Sequence, residues 1–136
     1  MDPVSLHPIG VVRSTLRSRG DAPRQADLGA PEARLELDPR FADALRRVSP
    51  GMDLLVLTWL HQANRDELLT HPMGDETIPL TGVFATRSPD RPNPIGLHRV
   101  TVVDVEPPAT LRVAALEAID GTPILDLKAV MDREGA

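Results

Sequence analysis

The sequence predicts a mainly β fold, a single-domain small β-barrel with one short helix. Three observations carry this expectation. Short apolar or alternating runs recur along the chain, punctuated by Gly, Pro and Asp turn residues. Proline occurs 14 times, about twice its usual share, which suits stiff connections between strands better than a helical bundle. Helical spacing of apolar residues is found in one place.

The elements follow in order. Leu6 to Arg13 reads as an opening strand, with turn residues Ser14 to Gly20 after it. Gly20 to Pro31 is a Gly/Pro-rich loop. Ala33 to Leu37 alternates as a half-buried strand does. Asp38-Pro39 supplies an N-cap and a first-turn proline, and Phe41, Ala44, Leu45 and Val48 recur at helical spacing. That predicts a helix over 39–48, ended by Ser49-Pro50-Gly51. Asp53 to Leu60 is almost wholly apolar and reads as a buried strand. Residues 61–81 form a polar, irregular stretch, expected to be a long loop over a site. Gly82 to Ala85 reads as a short strand and Thr86 to Pro94 as a loop. From Leu97 to Val105, alternation sets Leu97, Arg99, Thr101, Val103 and Val105 against His98, Val100, Val102 and Asp104. Pro107-Pro108 forces a turn. Leu111 to Leu116 and Ile124 to Val130 complete the set, joined through Asp120-Gly121. Seven or so strands with one helix favour a closed sheet, which leaves no open edges. The whole chain, 1–136, is read as one domain, with its core over about residues 6–130.

Composition narrows the function classes. With 136 residues, 41% of them hydrophobic and 26% charged, the chain is long enough for a real core. It has no cysteine, so disulfides, thiolate metal sites and thiol nucleophiles are excluded. The four histidines, His7, His61, His71 and His98, lack metal-ligand spacing, and no metal is expected. No signal peptide or bilayer-length apolar run is present, so a cytoplasmic protein without a membrane association is expected. The formal net charge is −5, so any nucleic-acid surface has to be a local basic patch. No G-x-G-x-x-G, P-loop or G-x-S-x-G motif occurs.

The densest chemistry lies in Thr86-Arg87-Ser88-Pro89-Asp90-Arg91-Pro92-Asn93-Pro94-Ile95-Gly96. Three prolines restrict their own φ and the residues before them, so the loop loses little entropy on binding. Arg87, Arg91 and Asn93 offer donors for a carboxylate, phosphate or base edge. The same composition would also make a stiff surface turn. Pro23-Arg24-Gln25 presents a guanidinium and an amide within a loop. His61-Gln62 sits at the mouth of a buried strand, where ligand contacts often lie, although a hydrogen-bonded strand-end histidine would look the same. Asp120-Gly121-Thr122-Pro123 is either an ordinary turn or an acceptor for ribose hydroxyls beside a backbone open to close approach. Asp126 and Lys128 share one side of a strand and suit a solvent-facing ion pair.

Together these segments resemble the TsaA-like (TrmO) family. The resemblance rests on His7 to Ser14, Pro23-Arg24-Gln25, Trp59 to Gln62, Gly82 to Pro89, Arg91 to Leu97 and Asp120 to Pro123, in the family's order. It implies a single-sheeted barrel that binds S-adenosyl-L-methionine, acts as a homodimer, and methylates the exocyclic amine of threonylcarbamoyladenosine beside the tRNA anticodon. It implies cofactor contacts at Pro23, Arg24, Gln25, His61, Gln62, Arg87, Leu97, Asp120, Gly121, Thr122 and Pro123, to which the loop's own chemistry adds Arg91 and Asn93. His61 or Asp126 would accept the amine proton. Where the family commonly has Pro-Tyr, this chain has Ala129-Val130, and it ends at Ala136 without the additional C-terminal domain of longer bacterial members. Two other readings share the cofactor: methylation of a small molecule or protein, and a non-catalytic cofactor-binding module.

Overall fold

The computed structural model describes residues 1–20 and 29–131. The described residues form eight strands: β1 (Gly10–Arg13), β2 (Ala33–Leu37), β3 (Asp53–Trp59), β4 (Leu69–Thr70), β5 (Thr81–Gly82), β6 (Ile95–Glu106), β7 (Thr110–Ala114) and β8 (Pro123–Ala129). Six of them close into a barrel in the order β1-β2-β7-β6-β3-β8, and every pairing is antiparallel. The small mainly β barrel expected from the sequence is the fold observed.

Alternation decides which side chains fill the barrel. Leu35 on β2, Leu54 and Val56 on β3, Val100 and Val102 on β6, Leu111 and Val113 on β7 and Ile124 on β8 all point inward. With two phenylalanines and one tryptophan in the whole chain, this interior is aliphatic. Gly10 lets β1 lie close on β2: a Cβ there would approach the Leu37 Cα to 2.7 Å.

Three expectations need correction. The helix is a 3-10 helix at Pro39–Leu45. Asp38 caps it by accepting from the Arg40 N–H, and Arg46 N–H donates to the Asp43 carbonyl three residues back, as the tighter winding requires. Leu45 is buried in the core, with Ala42 and Val48 packed on it, so this helix closes one barrel mouth. Gly82 to Ala85 is not one strand. Thr81–Gly82 pairs with Leu69–Thr70, and Val83–Ala85 turns as a short 3-10 helix that drives Val83 inward. Residues 61–81 therefore carry a small two-stranded sheet and a 3-10 turn at Pro72–Gly74 rather than irregular loop throughout.

The ladder registers position the site. Thr58 on β3 pairs with Gly96 on β6 and with Ile124 on β8. The chain leaving β3, the loop entering β6 and the turn entering β8 consequently meet at one rim. The 3-10 helix lies at the other end, where Leu54 pairs with Val100 and Ala129.

Candidate functional site

The loop over 86–94 is braced from within. Arg91 donates to the carbonyls of Val83 at 2.9 Å, Ser88 at 3.0 Å and Thr86 at 3.3 Å. Its two terminal nitrogens thus shape the loop: three carbonyls of a tight turn need donors, and prolines have no N–H to give. Thr86 adds a hydroxyl bond to the Val83 carbonyl at 2.8 Å, and Pro94, fully buried, accepts from the Leu60 N–H at 2.8 Å.

Arg65, which no sequence pattern singled out, joins this loop to the chain leaving β3. Its guanidinium stacks over Trp59 at 5.1 Å from the ring centroid, donates to the Pro92 carbonyl at 2.7 Å and to Asn93 Oδ1 at 3.1 Å. Asn93 therefore spends its acceptor within the protein, and its amide N–H groups remain the part able to contact a ligand. Arg19 makes a second bridge, donating to Asp90 at 2.9 Å and to the Gln62 carbonyl at 3.3 Å, while the Asn64 N–H donates to the other Asp90 oxygen at 2.8 Å. Partial burial disfavours the Asp90 charge, but the Arg19 and Asn64 donors outweigh it and hold the carboxyl below its usual range.

The turn entering β8 is tied down as firmly. Asp120 accepts from the Ser14 N–H at 3.0 Å and from Arg17 at 3.1 Å. Gly121 has φ +84°, and its N–H donates to the Val12 carbonyl at 2.8 Å. Thr122, buried, turns its hydroxyl to the Ile119 carbonyl at 2.6 Å. Pro123 opens β8. This turn is a fixed corner of the barrel whose carboxylate already has two partners.

What stays presented at the rim is a smaller set. His61 and Gln62 are exposed, and the His61 ring makes no hydrogen bond to a described residue. Arg87 is exposed and donates once, to the Leu97 carbonyl at 3.2 Å, which leaves most of its fork unclaimed among the described residues. Leu97, Ile95 and Phe84 add exposed apolar surface. Pro23, Arg24 and Gln25 lie outside the described residues. The residues flanking them are anchored here: Arg19 to Asp90 and Gln62, and the Pro31 carbonyl to the Leu116 N–H at 2.9 Å.

Asp126 is not gathered with them. It is exposed, held by Lys128 at 3.2 Å, and lines a cavity of about 410 Å³ beside the 3-10 helix with Ile9, Phe41 and Met52. Two residues apart on β8, the pair faces solvent as their spacing suggested, away from the rim segments. Among the described residues there is no group of three or more His, Asp or Glu able to hold a metal ion. No described helix is long and apolar enough to cross a membrane.

Residues 11–134 match the tRNA-methyltransferase O N-terminal domain. The chain belongs to this TrmO family. An S-adenosyl-L-methionine-binding protein of Archaeoglobus fulgidus is 41% identical over 123 residues, covering 90% of this chain and 86% of that protein. A second, probable S-adenosyl-L-methionine-binding protein of the same organism is 42% identical over 125 residues, but this chain spans only 33% of it. A crystal structure of TrmO from Pseudomonas aeruginosa superimposes with a TM-score of 0.78 at 33% identity; all of this chain is covered, and it spans 58% of that one. The TrmO resemblance read from the six ordered motifs is thereby borne out.

Proposed function

We propose that this TrmO-family chain is an S-adenosyl-L-methionine-dependent methyltransferase whose cofactor sits on the rim formed by residues 59–64, 86–97 and 116–123, together with Pro23, Arg24 and Gln25. The observation that carries this is the convergence of the family's motif segments on one barrel end, through the pairing of Thr58 with Gly96 and Ile124. The donor set fits the group. The open fork of Arg87 suits a carboxylate, the amides of Gln62 and Asn93 suit an adenine edge, and Leu97, Ile95 and Phe84 offer apolar surface for the adenosine and thioether chain. The relatives named for S-adenosyl-L-methionine binding support the same reading.

The bound cofactor supplies an already activated methyl group, so the protein's task is alignment and proton removal. Arg87 and the braced loop orient the donor. His61, free of described partners at the rim, accepts the proton of the attacking amine. The acceptor is tRNA, at threonylcarbamoyladenosine. Despite the net charge of −5, Arg65 and Arg87, which have no carboxylate partner among the described residues, offer phosphate contacts at this end, while Arg17 and Arg19 are paired with Asp120 and Asp90.

A titration of melting temperature against cofactor tests the first part. Saturation at a hundred times Kd is worth about 2.7 kcal/mol, a rise of a few degrees for a domain this size. A flat response to millimolar S-adenosyl-L-methionine contradicts the assignment. Arg87→Ala should weaken the response about tenfold or more. Transfer of labelled methyl to tRNA carrying the modified adenosine tests the acceptor; label confined to a small molecule or protein would redirect it.

A further inference from the structure

The barrel interior is aliphatic except at the rim end. There the Thr58 hydroxyl lies 2.7 Å from His98 Nε2, and His98 Nδ1 bonds to Glu117 Oε1. Thr58 is 0% and His98 6% exposed, and the Glu117 side chain is 16% exposed. An ionised Glu117 can only accept, so Nδ1 carries the proton it donates. In the neutral ring Nε2 then accepts from the Thr58 hydroxyl, which satisfies all three groups.

Hydroxyl, imidazole and carboxylate in this order make the constellation of a nucleophilic triad. Access rules that out here. Thr58 is sealed beneath Gly96, where even an added Cβ would overlap Thr58 Oγ1 and come within 2.7 Å of His98 Nε2 and 3.1 Å of Leu60 Cδ2. No substrate carbonyl or amine can reach the hydroxyl.

The relay's position in the chain explains it better. Thr58 directly precedes Trp59 to Gln62, His98 directly follows Leu97, and Glu117 stands three residues before Asp120. Each member therefore belongs to a different one of the three segments that make the rim. Buried polar groups of this kind cost more than the aliphatic packing used elsewhere in the barrel, and such local departures mark functional positions. The backbone registers bring these segments side by side but do not set the angle at which each leaves the barrel. A directional relay between them is able to.

We propose that Thr58, His98 and Glu117 are positioning residues for the cofactor: the relay clamps the three rim segments into their binding geometry before the ligand arrives. This rests on the placement of S-adenosyl-L-methionine at the rim, and the experiment separates the two. Binding of the cofactor to the full chain is measured by calorimetry for wild type, Thr58→Val, Thr58→Ser and Glu117→Gln, with melting temperatures alongside. Thr58→Val keeps the shape and removes the hydroxyl; Thr58→Ser keeps the hydroxyl and removes a methyl. Clamping requires Thr58→Val and Glu117→Gln to weaken binding at least tenfold, with Thr58→Ser within about threefold of wild type. A packing role reverses the Thr58 order, and that result overturns the proposal, as does unchanged affinity in Thr58→Val. Should Thr58→Val fail to fold, Glu117→Gln and the ring-proton spectrum of wild-type His98 decide: a slowly exchanging, downfield Nδ1 proton already present in the free chain, with binding weakened in Glu117→Gln, supports the clamp, and the absence of either overturns it. A wild-type chain that shows no binding overturns the rim site itself, and the clamp with it.

Discussion

The two ends of the barrel are built on different principles. At the mouth beside the 3-10 helix, Leu45 with Ala42, Val48 and Met52 continues the aliphatic core, and closure comes from non-directional burial. At the rim, the buried side chains include Thr58, His98 and Thr122, and order comes from directional bonds: the Thr58–His98–Glu117 relay, Arg91 on three carbonyls, and Arg65 and Arg19 across neighbouring segments. Burial needs only the right volume, so it tolerates exchange of one aliphatic residue for another. Hydrogen bonds and guanidinium forks fix angles, which is what a binding surface needs from its frame.

The contrast is sharpest where the core is cut away from the rim. Leu111→Ala removes a fully buried side chain on β7 and should cost about 2–5 kcal/mol in denaturant unfolding, while the folded fraction keeps its cofactor affinity. Affinity lost in step with stability would mean that the two ends are not separable. Gly96→Ala should do the reverse in kind. Its Cβ collides with Thr58 and His98, for a cost of about 1–3 kcal/mol, and cofactor binding should fall far more than that stability loss explains. Asp126→Asn, at an exposed pair on the wall beside the helix, should change stability by less than about 1 kcal/mol and leave methyl transfer intact. A large loss of turnover in that variant would return Asp126 to the site.

The smallest effect is expected from acid. Asp90 at the rim and Asp53 at the start of β3 are both held below the usual carboxylate range. For Asp53 the cause is first the Thr101 hydroxyl and then Arg99; for Asp90 the Arg19 and Asn64 donors outweigh the burial that opposes them. A depressed carboxyl stabilises the fold fully above its unfolded value, and that contribution disappears as pH falls through the folded value. Carbon-detected NMR titration should find both groups protonating below the usual carboxylate range. Only the loss at Asp90 should be accompanied by weaker cofactor binding.

How much of this was legible in the sequence differs between the same two ends. The barrel was readable because alternation at Ala33–Leu37 and Leu97–Val105 reports directly on inside and outside. The helix was placed correctly by Asp38-Pro39 but its winding was not, since apolar spacing over so short a stretch does not distinguish α from 3-10. At the rim, the motif segments were visible, but the division of labour within them was not. Arg91 and Arg87 stand four residues apart in one loop, and only coordinates show that one braces carbonyls while the other keeps most of its fork unclaimed among the described residues. Arg19 and Arg65 had no signal, because a long side chain's partner depends on where distant segments meet. His98 did leave one: it was the imidazole in an inward set otherwise made by Val100 and Val102 up to the β-bulge.

Amide chemical-shift mapping with S-adenosyl-L-methionine on the isotopically labelled chain tests the division between the two ends most directly. Shifts should concentrate at residues 60–64, 86–98 and 117–123 and leave 39–48 and 126–129 unmoved. Shifts centred instead on the cavity beside the 3-10 helix, around Phe41, Met52 and Leu127, would place the ligand at the wrong end and contradict the rim site.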